Sequence, residues 1–123
     1  MPKKSRVSGR ILRCAMALAV FGVLPNVASA QAVVTTAPVA IVRLQSDWTL
    51  NSVIVALPSN VPLINPAACT LTDAYETHPS DAGTTLNNSI LLSAYLAHAN
   101  VALVIQGCSP SNRRRIISVA MPN

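Results

Sequence analysis

NNSILLSAYLAHAN (87–100), VALVIQGC (101–108), SPSN (109–112) and RRRIISVAMPN (113–123) read in turn as helix, strand, turn and strand. The helix is predicted over Ile90 to His98, where Ile90, Leu91, Ala94, Tyr95 and His98 recur at helical spacing on one face. Asn88 or Ser89 can cap its start, because either side-chain oxygen can accept a free amide of the first turn. Asn100 sits where a left-handed residue would stop it. Val101 to Gln106 follows as a strand, Gly107 to Asn112 as a turn, and Arg115 to Met121 as the last strand.

Upstream of that segment three more strands are predicted. Val39 to Gln45 (VAIVRLQ) is rich in β-branched residues. Leu50 to Leu57 (LNSVIVAL) ends in a continuous apolar run, the mark of a strand buried on both faces. Cys69 to Glu76 (CTLTDAYE) alternates, with Cys69, Leu71, Asp73 and Tyr75 on one side. Between them, Pro58 to Ala68 holds three prolines and reads as a loop, as does His78 to Leu86. Gln31 to Pro38 reads as a frayed leader. The predicted class is mainly β with one helix, in the order β-β-β-α-β-β. Five strands with the helix in that place are the layout of a small OB-like barrel.

The chain has 123 residues, enough for one domain. Its first thirty are read as an export signal. Lys3, Lys4, Arg6, Arg10 and Arg13 open it, an apolar run from Cys14 to Leu24 follows, and Ala28-Ser29-Ala30 closes it. That run is about half the ~20 residues a membrane span requires. Cleavage after Ala30 would leave residues 31–123 as a single domain, secreted or periplasmic, with no membrane span.

This division changes the meaning of the charge. The formal net charge of +5 belongs to the signal. From residue 31 onward, Arg43, Arg113, Arg114 and Arg115 face Asp47, Asp73, Glu76 and Asp81, and no lysine remains. The balance gives no long-range pull on nucleic acid or acidic membranes. Three aromatics, Trp48, Tyr75 and Tyr95, are also too few for the interleaved aromatic and basic residues of a single-strand binder. A small, apolar, nearly neutral domain has little to keep it apart from its own copies, so homo-oligomerisation is expected.

About ninety residues bury only a marginal core. Two cysteines remain after the signal, Cys69 and Cys108, and in an oxidising compartment they have one intramolecular pairing. That bridge would close a loop of about forty residues and stabilise the fold by ~4 kcal/mol on the chain-entropy account.

The C-terminal half then shows a resemblance. Its pattern is carried by Cys69, by Leu91, Leu92, Ala94 and Tyr95 of the helix, by Val101, Leu103, Gly107 and Cys108, and by Ile117 and Val119. It resembles a widespread group of small secreted bacterial proteins, similar in layout to the B subunits of pertussis-like and subtilase-cytotoxin-like AB toxins. The resemblance covers about the last 55 residues. It implies a fold first; because toxin B subunits bind glycans as pentamers, it also implies a glycan or protein partner and a homo-oligomer. No residue set in the chain maps onto a glycan pocket.

Candidate site residues are few. Arg113, Arg114 and Arg115 together could hold phosphate, sulfate or a sialic-acid carboxylate through bidentate hydrogen bonds. The plainer reading, and the one favoured, is a solvated strand end that protects a sheet edge. Trp48, in the first turn, is either a stacking residue for a sugar or, as favoured, a cap over the core. His78 and His98 lack the further ligands a metal needs, and His98 suits the negative end of a helix dipole. No G-x-S-x-G elbow and no acid–base carboxylate pair is present, so no cofactor is expected and a small hydrolase is the least supported reading. The expected function is a non-enzymatic binding or interaction domain, with anionic-ligand binding through Arg113–Arg115 as the alternative.

Overall fold

A computed structural model describes residues 31–48 and 50–122. The segment read as an export signal, residues 1–30, lies outside the described residues. The described chain is mainly β with one helix: β1 (Val34–Thr35), β2 (Val39–Ala40), β3 (Arg43–Ser46), β4 (Val53–Ala56), β5 (Leu71–Thr77), α1 (Thr84–Leu96), β6 (Asn100–Cys108) and β7 (Arg113–Ala120). The strands form one sheet in the order β1-β6-β7-β5-β4-β3, and β2 also pairs with β6. All pairings are antiparallel except β5 with β7.

Two expectations about the N-terminal region need correction. The first strand is not one run from Val39 to Gln45 but two short pieces, because Val39–Ala40 pairs with β6 while Arg43–Ser46 pairs with β4. The leader is not frayed either. Val34 and Thr35 pair with Ile105 and Val104, and the buried Thr36 both donates its amide to Leu103 O (2.9 Å) and accepts the Leu103 amide on Oγ1 (2.9 Å).

The expected closed barrel is not what the ladder forms. The sheet is open, ending at β3 on one side and at β1 on the other. The chain itself bridges the two ends. Only Ile41 and Val42 separate β2 from β3, and the Val42 amide already donates to Ala56 O at 3.0 Å. One bent segment therefore flanks both sides of the sheet.

The helix starts six residues earlier than predicted, at Thr84, with Gly83 as N-cap and no side-chain cap. Asn88 and Ser89 lie inside it. Its inward face carries Leu91 and Ala94, both fully buried, with Ile90 and Tyr95 packed beside them. They meet Val55, Tyr75, Val101, Leu103, Ile105 and Ile116 in one apolar core. Burial of each large aliphatic there contributes about 2 kcal/mol. His98, placed on that face by the periodicity, is exposed instead. It takes the left-handed conformation (φ 52°) that ends the helix, while Asn100 opens β6. The Ala99 amide reaches back to Ala94 O (2.9 Å) and the His98 amide to Tyr95 O (3.3 Å), which engages two terminal carbonyls.

The predicted bridge is present. Cys69 and Cys108 are bonded with their Cα atoms 5.6 Å apart, 39 residues apart in sequence. Cys69 precedes β5 rather than opening it, and Cys108 ends β6. Gly107 makes the approach feasible. Its φ of +69° supports a bulge between Ile105 and Cys108, and a Cβ there would lie 2.4 Å from the Gln31 side chain.

Candidate functional site

The three arginines are the first three residues of β7 rather than part of the preceding loop, and strand geometry separates them. Arg113 and Arg115 point to one face and Arg114 to the other. Arg113 forks onto Asp73, with Nε to Oδ1 at 3.0 Å and Nη2 to Oδ2 at 3.2 Å. Through that hydrogen bond Arg113 holds the Asp73 carboxyl below its ordinary value, against a smaller opposing effect of burial. Arg115 forks onto Asp81, with Nε to Oδ2 at 2.9 Å and Nη2 to Oδ1. Arg114 is fully buried. It lies 4.1 Å over the Tyr75 ring and donates to the backbone carbonyls of Thr72 (2.8 Å) and Ala74 (3.0 and 3.3 Å). Burial pushes this guanidinium below its ordinary value, with Tyr75 and Asp73 opposing the shift. Its Nη1 has no partner among the described residues.

A second buried charge belongs to the same region and was not visible in the sequence. Glu76 in β5 is fully buried. Its carboxylate accepts from Ser52 Oγ (2.8 Å), from Ser109 Oγ (2.6 Å) and from Ser111 Oγ. Arg113 Nη1 donates in turn to Ser111 Oγ at 3.2 Å. A continuous network therefore runs Asp73–Arg113–Ser111–Glu76–Ser52 and pins the Ser109–Asn112 turn to β5 and to the start of β4. These serines are donors to a structural carboxylate. Among the described residues no group of three or more His, Cys, Asp or Glu side chains could hold a metal. His78 accepts the Ser80 amide on Nδ1 at 3.1 Å.

Trp48 is 96% exposed, so it is not a cap over the core. It sits at the tip of the β3–β4 hairpin, where the Asp47 amide donates to Ser52 O at 3.0 Å. Strands β5 and β4 stand between it and β7, so the sequence-derived site residues do not converge.

Beside that hairpin lies a groove that was not anticipated. It has a volume of about 490 Å³ and runs between β3–β4 and α1. Leu44, Val53 and Leu92 give it an apolar floor, and Gln45, Ser46, Asn51, Thr85, Asn88 and Ser89 give it polar walls. Among the described residues no charged side chain lines it. Thr77 fixes one wall: its Oγ1 accepts the Val53 amide (2.9 Å) and donates to Asn88 Oδ1 (2.9 Å), joining β5, β4 and α1. Ser89 Oγ donates to Thr85 O at 2.9 Å. The side chains of Gln45, Ser46, Asn51 and Thr85 have no hydrogen-bond partner among the described residues. One signal could have found the site: Thr85, Asn88, Ser89 and Leu92 follow the i, i+3, i+4, i+7 spacing of one helical face, but only once the helix is started at Thr84.

Comparison with known proteins gives no match, whether to a family model, to a curated protein or to a solved structure. Among the described residues no helix is long and apolar enough to cross a membrane.

Proposed function

We propose that this chain is an exported, non-enzymatic binding domain that receives a protein or neutral glycan partner in the groove between β3–β4 and α1. One observation carries the reading. Four neutral polar side chains without internal partners converge around an apolar floor, the usual composition of a recognition site. The exposed Trp48 beside the groove adds a ring that could stack on a ligand. Export rests on the basic and apolar N-terminus and on the Cys69–Cys108 bridge, which belongs in an oxidising compartment. The likeness to toxin B subunits adds a homo-oligomer to the proposal, and a five-fold mass by light scattering would support that part.

The anionic-ligand alternative has less support. A sulfate or sialic acid would have to displace Asp73 from Arg113 and Asp81 from Arg115, while Arg114 is buried. A small hydrolase has no assembled acid, base and nucleophile in its favour among the described residues.

The test fills the groove. The oxidised protein is screened on a glycan array and against displayed peptides, and the ligand found is re-measured with Thr85→Trp. Binding should fall at least tenfold while the melting temperature stays within a few degrees. A ligand indifferent to Thr85→Trp but lost on Arg113→Ala and Arg115→Ala would overturn the groove reading in favour of the anionic one.

A further inference from the structure

The groove lies along the edge of a strand, and that suggests what enters it. Leu44, Gln45 and Ser46 are consecutive, and all three line it. Side chains of a strand alternate between faces, so a groove lying over one face would meet every second residue. Three in succession means that it runs along the strand's edge. β3 is the last strand of the sheet, with no neighbour beyond it among the described residues. The opposite wall is one helical face, from Thr85 to Leu92.

The backbone of that edge is free in a defined pattern. The Asp47 amide donates to Ser52 O, and the ladder places Gln45 opposite Ile54 and Arg43 opposite Ala56 in the same phase. An antiparallel ladder engages alternate residues, so the N–H and C=O groups of Leu44 and Ser46 face away from β4. Seven helical residues advance about 10 Å, the length of about three residues of extended chain.

We infer that the groove takes an extended peptide segment of a partner protein, added as a further strand on β3 and held against α1. This deepens the binding reading above and rests on it. The incoming segment hydrogen-bonds to Leu44 and Ser46, as in other cases of strand addition. It is uncharged over about three residues, since no charged side chain lines the groove. It presents an apolar side chain to Leu44, Val53 and Leu92.

The experiment uses the oxidised protein and phage-displayed random heptapeptides. The best binder is titrated into nitrogen-15-labelled protein, and amide hydrogen exchange is followed. Strand addition is expected to protect the Leu44 and Ser46 amides, which are free beforehand. Ser46→Pro removes one outward amide and leaves the inward bonds of Gln45 and Asp47. It should weaken the peptide about tenfold, the effect of one backbone hydrogen bond. If Ser46→Pro does not fold, N-methylation of the peptide at alternate residues reads the same bond from the other side. Peptides that bind without protecting these two amides overturn strand addition. So does concentration-dependent protection without peptide, which would make the occupant a second copy. Neutral oligosaccharides that shift Gln45 and Asn51 while no peptide is selected also overturn it, and leave the broader groove reading standing. If neither probe touches the groove, both readings fall.

Discussion

The seam between β5 and β7 and the groove between β3 and α1 are both rich in polar side chains, yet they are built in opposite ways. In the seam, Asp73, Glu76, Asp81 and the three arginines are turned onto one another, onto serines or onto backbone carbonyls. In the groove the polar groups are neutral, and several have no partner. A charge that is already neutralised and hydrogen-bonded gains little by meeting a ligand, because it must first give up what it has. An amide or hydroxyl hydrogen-bonded only to water gains more readily. The contrast puts Arg113, Arg114 and Arg115 in internal contacts, which is why the proposal above places recognition at the groove instead.

Variants should separate the two regions. The largest expected effect is from Arg114→Ala, which removes a buried side chain from over Tyr75 and leaves the carbonyls of Thr72 and Ala74 without donors. We expect a loss of about 4 kcal/mol in denaturant unfolding, with no direct effect on a groove ligand. A loss below about 1 kcal/mol would show that the seam is not structural. Glu76→Ala comes next. It leaves the hydroxyls of Ser52, Ser109 and Ser111 without their acceptor and should cost about 3 kcal/mol. Glu76→Gln keeps one acceptor oxygen and should cost less. Equal losses in the two variants would mean that the charge and second oxygen of the carboxylate, not the packing of the side chain, hold the turn.

Particular residues explain how much of this was legible beforehand. The Cys69–Cys108 bridge was, because only two of the three cysteines follow residue 30, and two admit one pairing. The succession of three strands, helix and two strands was, because the apolar residues around 90–105 change period from helical to extended. The split of the first strand was not. Its two halves take different partners, β6 for Val39–Ala40 and β4 for Arg43–Ser46, and no local pattern reports that. The helix start was obscured because Gly83 and the threonines after it look like loop, and their helicity comes from packing of Thr84 and Asn87 beneath them. The arginine triplet misled for a simpler reason. Adjacent charges read as one patch, but once the strand is begun at Arg113 the alternation gives Arg114 the same parity as the buried Ile116. The groove needed the fold itself, since its walls come from segments about forty residues apart.

Seam and groove should also differ, by a small margin, in their response to pH. Asp73 is half exposed, so its pair with Arg113 contributes only a few tenths of a kcal/mol. Its direction is nonetheless fixed. Arg113 lowers the carboxyl in the folded protein relative to the unfolded chain, whose value is about 3.9. A carboxyl lowered by folding contributes its full stability above the unfolded value and loses it as pH falls through the folded one. Denaturant midpoints measured from pH 6 downward should therefore drop more steeply below about pH 4 in the parent than in Asp73→Asn. The groove behaves differently, because none of its lining side chains carries an ionisable group. Affinity for a groove ligand should stay flat over any part of that range in which the protein remains folded. An affinity that fell in step with the Asp73 titration would tie the ligand to the seam after all.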